Sequence, residues 1–215
     1  MNILVFDTST DILAVGVAKD NGSMKLSAES GFRHSETLLP AIEGCLSESG
    51  LELKDIELIA CTSGPGSFTG LRIGMSTAKG LSLALGIPWV GVPTLDCIAF
   101  GHEKPGCMTV PVLDARKNRL YAALYRGGRR VSEYLDISIA QLLALLDGEE
   151  EALFIGPDAE IFADYALERP GFIIETDNPE NKLRGLSTLA ELHYKEKGGA
   201  SDDEGPLYLR EPEIG

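Results

Sequence analysis

Between residues 56 and 85 the chain changes character twice, and that change restricts the folds open to it. Ile56 to Cys61 is a short apolar run that reads as a buried strand. Thr62-Ser63-Gly64-Pro65-Gly66-Ser67-Phe68-Thr69-Gly70-Leu71-Arg72 follows, and a helical pattern then runs to about Leu85. Strand, glycine loop and helix is the geometry in which backbone N–H groups gather around an anion at a helix N-terminus. A lysine after the glycines would favour a phosphate cradle. The sequence has Leu71-Arg72 there, so a tight strand-to-helix connection reads at least as well. The helix places Gly70, Gly74, Ala78 and Gly80 where larger residues are usual, which lets another backbone approach closely. Leu71, Met75, Leu81, Leu83 and Leu85 spread over more than one stripe. Such a helix is expected to be buried on two sides, one against a sheet and one under a cover that the chain does not obviously supply.

The flanking pattern supplies the sheet. Ile3–Asp7, Ile12–Ala18 and Met24–Ser30 read as strands, the last two joined by an Asp20-Asn21-Gly22 turn, and together they make an antiparallel meander. Leu38, Leu39, Ile42 and Leu46 form the apolar face of a helix over about 35–48. Pro88–Val92 reads as a further strand and Thr94 caps a short helix. After a linker at His102–Gly106 the pattern partly restarts. Met108–Asp114, Leu120–Tyr125 and Val131–Leu135 read as strands, with a Gly127-Gly128 turn, and Ile139–Leu146 as a helix. Ala152–Ile155 and Phe172–Ile174 are expected strands, and Ala159–Leu167 and Ser187–Lys197 expected helices. The class is α/β, with mixed sheets flanked by helices. Residues 1–102 and 107–197 are expected to form two lobes, and 198–215 an acidic linker and docking segment.

Charge limits the partners. The formal net charge is −14, so direct, unaided binding of tRNA or DNA is not expected. No apolar run approaches the ~18 residues of a membrane span, and the first residues enter a strand at once, so a soluble, cytoplasmic protein is expected. Cys45, Cys61, Cys97 and Cys107 have no C-x-x-C spacing and read as buried thiols. His34, His102 and His193 are scattered, and no metal site is visible.

Four stretches then allow a family to be named. Asp7-Thr8-Ser9, Arg33-His34-Ser35-Glu36-Thr37-Leu38-Leu39-Pro40, Gly64-Pro65-Gly66-Ser67-Phe68-Thr69-Gly70-Leu71-Arg72 and Pro206-Leu207-Tyr208-Leu209-Arg210 together resemble the bacterial TsaB (YeaZ) family. The resemblance implies a two-lobed actin-like, ribonuclease-H-like fold of the sugar kinase–Hsp70–actin superfamily, whose strand-end turns hold ATP phosphates. It further implies a non-catalytic partner in placing threonylcarbamoyl on the adenosine beside the tRNA anticodon. That partner pairs with a TsaD-like catalytic subunit, is joined by a TsaE-like ATPase, and forms a homodimer when alone. The catalytic paralogue carries a His-x-x-x-His metal pair; this chain has His34 but Leu38, so metal-dependent transfer does not carry over.

Asp7, Thr8, Ser9 and Asp114 are the candidate nucleotide or phosphate residues, each strand-end Asp reading also as a turn-closing side chain. No cofactor is firmly implied; ATP or ADP at the partner interface is left open. Leu38, Leu39, Ile42, Leu46, Gly70, Arg72, Gly74, Met75, Ala78 and Leu81 are the candidate partner surface, forming half of a four-helix interface. A charge at Met75 or Ala78 is then expected to abolish pairing without unfolding the chain. The alternative is a small ATP-binding phosphotransferase or ATPase using Asp7.

Overall fold

The computed structural model describes residues 1–20, 22–31, 33–176 and 178–210, so Asn21 of the expected turn and residues 211–215 lie outside the described residues. In chain order the elements are β1 (Ile3–Asp7), β2 (Ile12–Ala18), β3 (Met24–Ser30), α1 (His34–Ser49), β4 (Leu58–Gly64), α2 (Phe68–Leu85), β5 (Trp89–Pro93) and α3 (Thr94–Ala99). They continue as β6 (Met108–Asp114), β7 (Leu120–Ala122), β8 (Tyr125–Arg126), β9 (Arg129–Arg130), β10 (Leu135–Ile137), α4 (Ile139–Leu145), β11 (Ala152–Gly156), α5 (Ala163–Glu168), β12 (Phe172–Thr176) and α6 (Pro179–Lys197). Two units emerge, Met1–Cys97 with Lys182–Tyr208, and Ile98–Asn181 with the residues from Leu209.

The first unit is built on a sheet of order β3-β2-β1-β4-β5. Its meander is antiparallel, and β1, β4 and β5 run parallel. Side chains alternate with period two along each strand. Leu4, Phe6, Val15, Ile59 and Cys61 face Leu38 and Ile42 of α1 and Met75 and Ala78 of α2. Ile3, Val5, Ala14, Leu58 and Ala60 face Leu183, Leu186 and Ala190 of α6. Both faces are covered, which is why β1 and β4 are continuous apolar runs rather than alternating ones.

This sandwich corrects the expected boundaries. The last helix begins at Pro179, two turns before Ser187, because the Asn178 side chain accepts from Glu180 N–H (2.9 Å) and Pro179 suits a first helical position. From Lys182 on, it belongs with the first unit and not with a lobe spanning 107–197, since its apolar face packs on β1, β2 and β4.

The second unit repeats the strand order, β10-β7-β6-β11-β12, with β6–β7 and β7–β10 antiparallel and β6–β11 and β11–β12 parallel. The expected Leu120–Tyr125 strand breaks because Leu124 N–H is taken by the Ser132 hydroxyl (2.9 Å), and β8 turns into a small hairpin with β9. The third strand therefore starts at Leu135. The expected Ala159–Leu167 helix divides into a 3-10 turn, Ala159–Phe162, and α5. Phe154 anchors this core, stacked on Phe162 (4.0 Å between ring centroids) and edge-on to Phe172 (5.3 Å). All four cysteines are buried, and none of them forms a disulfide among the described residues. Among the described residues no helix is long and apolar enough to cross a membrane.

Candidate functional site

Asp7 ends β1, the central strand of the first sheet, and is fully buried at 0% exposure. Lys182, 2% exposed on α6, brings its Nζ to 2.8 Å from Asp7 Oδ2. Asp7 Oδ1 accepts from Thr62 Oγ1 (2.7 Å) and from Ser9 N–H (2.9 Å). Burial alone would raise the Asp7 pKa; the Lys182 charge and the hydrogen bonds from Lys182 and Ser9 outweigh it and hold the carboxyl below its ordinary value. Thr8 and Ser9 are buried beside it, and Thr8 Oγ1 donates to Gly70 O (2.8 Å).

The glycines of the loop and helix explain how this turn is sealed. A Cβ at Gly66 would strike Ser9, and one at Gly70 or Gly74 would strike Thr8. Ser67 N–H donates to Ser9 O (2.7 Å), and the Ser67 hydroxyl caps α2 by accepting from Gly70 N–H (3.3 Å). The close backbone approach expected of these glycines is made within the unit, to the end of β1. The arrangement does not fit a phosphate bound at the Asp7 carboxylate: the carboxylate has its cation, Thr8 has its acceptor, and Asp7, Thr8 and Ser9 are all buried. Lys182 lies outside the residues expected of this site: the Asn178-Pro179 helix start marks the helix that carries it, and no local pattern marks it as the cation of Asp7.

Asp114 occupies the equivalent strand end of the second unit. Its carboxylate accepts from Arg116 N–H (2.7 Å) and pairs with the Arg116 guanidinium (3.2 Å), and its N–H donates to Asp158 Oδ2 (2.7 Å). Arg116, Lys117 and Asn118 then turn the chain with φ of 61°, 57° and 58°, a run that L residues rarely adopt. Beside this turn Asp136 accepts from Arg119 Nε (2.6 Å) and from Arg210 Nε (3.0 Å) and Nη2 (2.9 Å).

The expected partner surface divides. Leu38, Ile42, Leu46, Gly70, Gly74, Met75 and Ala78 are buried inside the first unit, so these seven are packing residues rather than contact residues, and Leu81 is half-buried against the same core. Leu39 is 54% exposed, and Arg72 is exposed. Leu83, absent from the expected surface, is 87% exposed on α2, where Ser76, Gly80 and Ala84 are also exposed. A Cβ at Gly44 of α1 or at Gly80 of α2 would point into open space. His34 is buried and its Nε2 donates to Thr10 O (2.7 Å).

The second cover of α2 comes from segment 198–208. Ala200 N–H donates to Trp89 O (2.8 Å), Lys79 Nζ donates to Asp202 O (2.7 Å), and Leu207 N–H donates to Ser63 O (2.7 Å). At the start of α2 the Tyr208 ring stacks on Phe68 with centroids 4.7 Å apart. The segment thus lies along α2 from Lys79 back to Phe68.

The sequence profile described as "TsaD: tRNA N6-adenosine threonylcarbamoyltransferase" matches residues 28–159. The chain is 40% identical over 129 residues to the Escherichia coli K12 protein named tRNA threonylcarbamoyladenosine biosynthesis protein TsaB; the match covers 59% of this chain and 55% of that one. The Bacillus subtilis 168 protein of the same name is 28% identical over 221 residues, 98% of this chain and 94% of its own. The solved structure of YeaZ from Pseudomonas aeruginosa superposes with a TM-score of 0.78 at 23% identity, covering 97% of this chain and 99% of that one. The fold is α/β and actin-like, and the chain belongs to the TsaB (YeaZ) family.

Proposed function

We propose that the chain is the non-catalytic subunit of an assembly that places threonylcarbamoyl on tRNA adenosine, pairing with a TsaD-like catalytic subunit through the outer faces of α1 and α2. One observation carries this reading: Leu39 and Leu83 stand exposed on the outer faces of α1 and α2, which also carry the open glycines Gly44 and Gly80. A glycine at an open helix position costs about 1 kcal/mol relative to alanine, a loss that close helix–helix contact can offset. The match to the TsaD profile supports a partner that offers equivalent helices, so the pairing is quasi-symmetric, and two copies of this chain use the same face when alone. A stable interface of this kind buries roughly 800 Å² per partner. A TsaE-like ATPase joins the assembly, and with a net charge of −14 the chain leaves RNA contact to the others.

The buried Asp7–Lys182 pair and the bonded His34 favour this role over a phosphotransferase built on Asp7. Leu83→Glu is expected to abolish co-purification with the catalytic subunit, and modified adenosine in a reconstituted reaction, while the thermal midpoint stays unchanged. Retained pairing would overturn the proposal. A charge at Met75 would disrupt the core of the first unit rather than the pairing face alone, because Met75 packs on the sheet.

A further inference from the structure

Arg72 stands at the border of the exposed stripe of α2, between the outward Ser76 and Leu83 and the side covered by segment 198–208. Its guanidinium carbon lies 3.8 Å from the Phe68 ring centroid and 6.0 Å from that of Tyr208, and its Nε donates to the Tyr208 hydroxyl (3.0 Å). One face of the guanidinium is therefore stacked, and its inner edge is hydrogen-bonded. Among the described residues Arg72 makes no ion pair with a carboxylate, in a chain where Asp and Glu outnumber Lys and Arg by 33 to 19. An arginine held this way has already lost much of the rotamer freedom that binding would otherwise remove.

We infer that Phe68, Arg72 and Tyr208 form a preorganised carboxylate site at the rim of the α1–α2 face, which receives an Asp or Glu side chain of the partner subunit. The inference rests on the pairing proposed above and deepens it. Leu39 and Leu83 supply apolar contact but fix no register along the helices, whereas a planar donor fork at one end does. Tyr208 acts through Arg72 and is a positioning residue. Segment 198–208 thereby belongs to the recognition surface, although it lies far from α2 in sequence. The aromatic stack and the hydroxyl together set the direction of the fork.

The experiment is a double-mutant cycle on affinity for the purified TsaD-like subunit, with Arg72→Ala, Arg72→Lys, Tyr208→Ala and their combination, and Leu83→Glu as the reference for the face. Arg72→Ala is expected to weaken binding about tenfold or more, since a charge-assisted hydrogen bond is lost. Arg72→Lys should recover little, Tyr208→Ala should weaken binding severalfold, and Tyr208→Ala should add nothing in the Arg72→Ala background. Thermal midpoints of the isolated variants should stay close to the parent, as these side chains lie outside the core. Additive effects of Arg72→Ala and Tyr208→Ala, or affinity within twofold of the parent for Arg72→Ala while Leu83→Glu abolishes binding, would overturn the carboxylate site and leave the pairing standing. Unchanged binding by Leu83→Glu would overturn the pairing itself. If Arg72→Ala spares the subunit but weakens tRNA binding by the whole complex, the anion is a phosphate and the assignment falls.

Discussion

Lys182→Met tests the buried ion pair of the first unit. The substitution keeps most of the side-chain volume and removes only the ammonium, leaving Asp7 at 0% exposure with its Thr62 and Ser9 hydrogen bonds but no cation. Removing one member of a buried ion pair typically costs about 3–5 kcal/mol. For a chain of this size that corresponds to a fall in the thermal midpoint of roughly 6–20 °C. The chain has a single tryptophan, Trp89, which is buried on β5, so its fluorescence reports the first unit alone. The pH dependence gives a second reading. In the parent the Asp7 pKa is lowered, so its contribution is fully present above the ordinary value of 3.8 and is lost as pH falls through the lowered folded value. In Lys182→Met only burial and the remaining hydrogen bonds act, and burial dominates, so the folded pKa rises. The variant should therefore gain stability as pH falls from 7 toward about 5, while the parent does not. Asp7→Asn combined with Lys182→Met should recover a large part of the loss. A Lys182→Met variant within about 1 kcal/mol of the parent, with the parent's pH profile, would refute the reasoning.

Gly70→Ala and Gly74→Ala should each destabilise the first unit by about 1–3 kcal/mol in urea titration, because the new methyl meets the backbone carbonyl of Thr8 in the first and its buried hydroxyl in the second. Gly80→Ala should do the reverse, stabilising the isolated chain by up to about 1 kcal/mol while weakening its pairing with the catalytic subunit. In the second unit Asp136 is partly buried, which raises its pKa, but Arg210 and Arg119 outweigh this and lower it; the stabilisation it gives is lost as pH falls below the ordinary carboxylate value, and Asp136→Asn should flatten that acid limb in circular dichroism melts. Burial, with Glu204 and Asp7 adding to it, pushes the Cys61 thiol up to about 12, so a thiol reagent at neutral pH should leave Cys61 unmodified in the native chain and label it in guanidinium.

Much of this architecture could be read from residue periodicity. The meander of β1–β3, the strand–loop–helix at Leu58–Leu85 and the recurrence of the same strand order after residue 107 follow from runs, turns and caps that act locally. Contacts between distant segments could not be read this way. Nothing near Asp7 announces that its cation is Lys182, and nothing near α2 announces that segment 198–208 covers it. Leu38, Met75 and Leu83 look alike as apolar helix residues, yet the first two face the sheet and the third faces outward. Only the packing of α1 and α2 on β1, β2 and β4 decides which is which. The glycines misled for the same reason: they do mark a close approach, but to Thr8 and Ser9 of the same unit.

The placement of α6 also bears on the order in which the chain is made. The first unit opens with residues 1–97 and is completed only when Leu183, Leu186 and Ala190 arrive to cover Ile3, Val5 and Leu58. The second unit is synthesised in between. At usual elongation rates the ribosome needs roughly 5–20 s to add these hundred or so residues. During that interval one face of the first sheet is bare and Asp7 has no cation, because α6, which carries Lys182, has yet to be made.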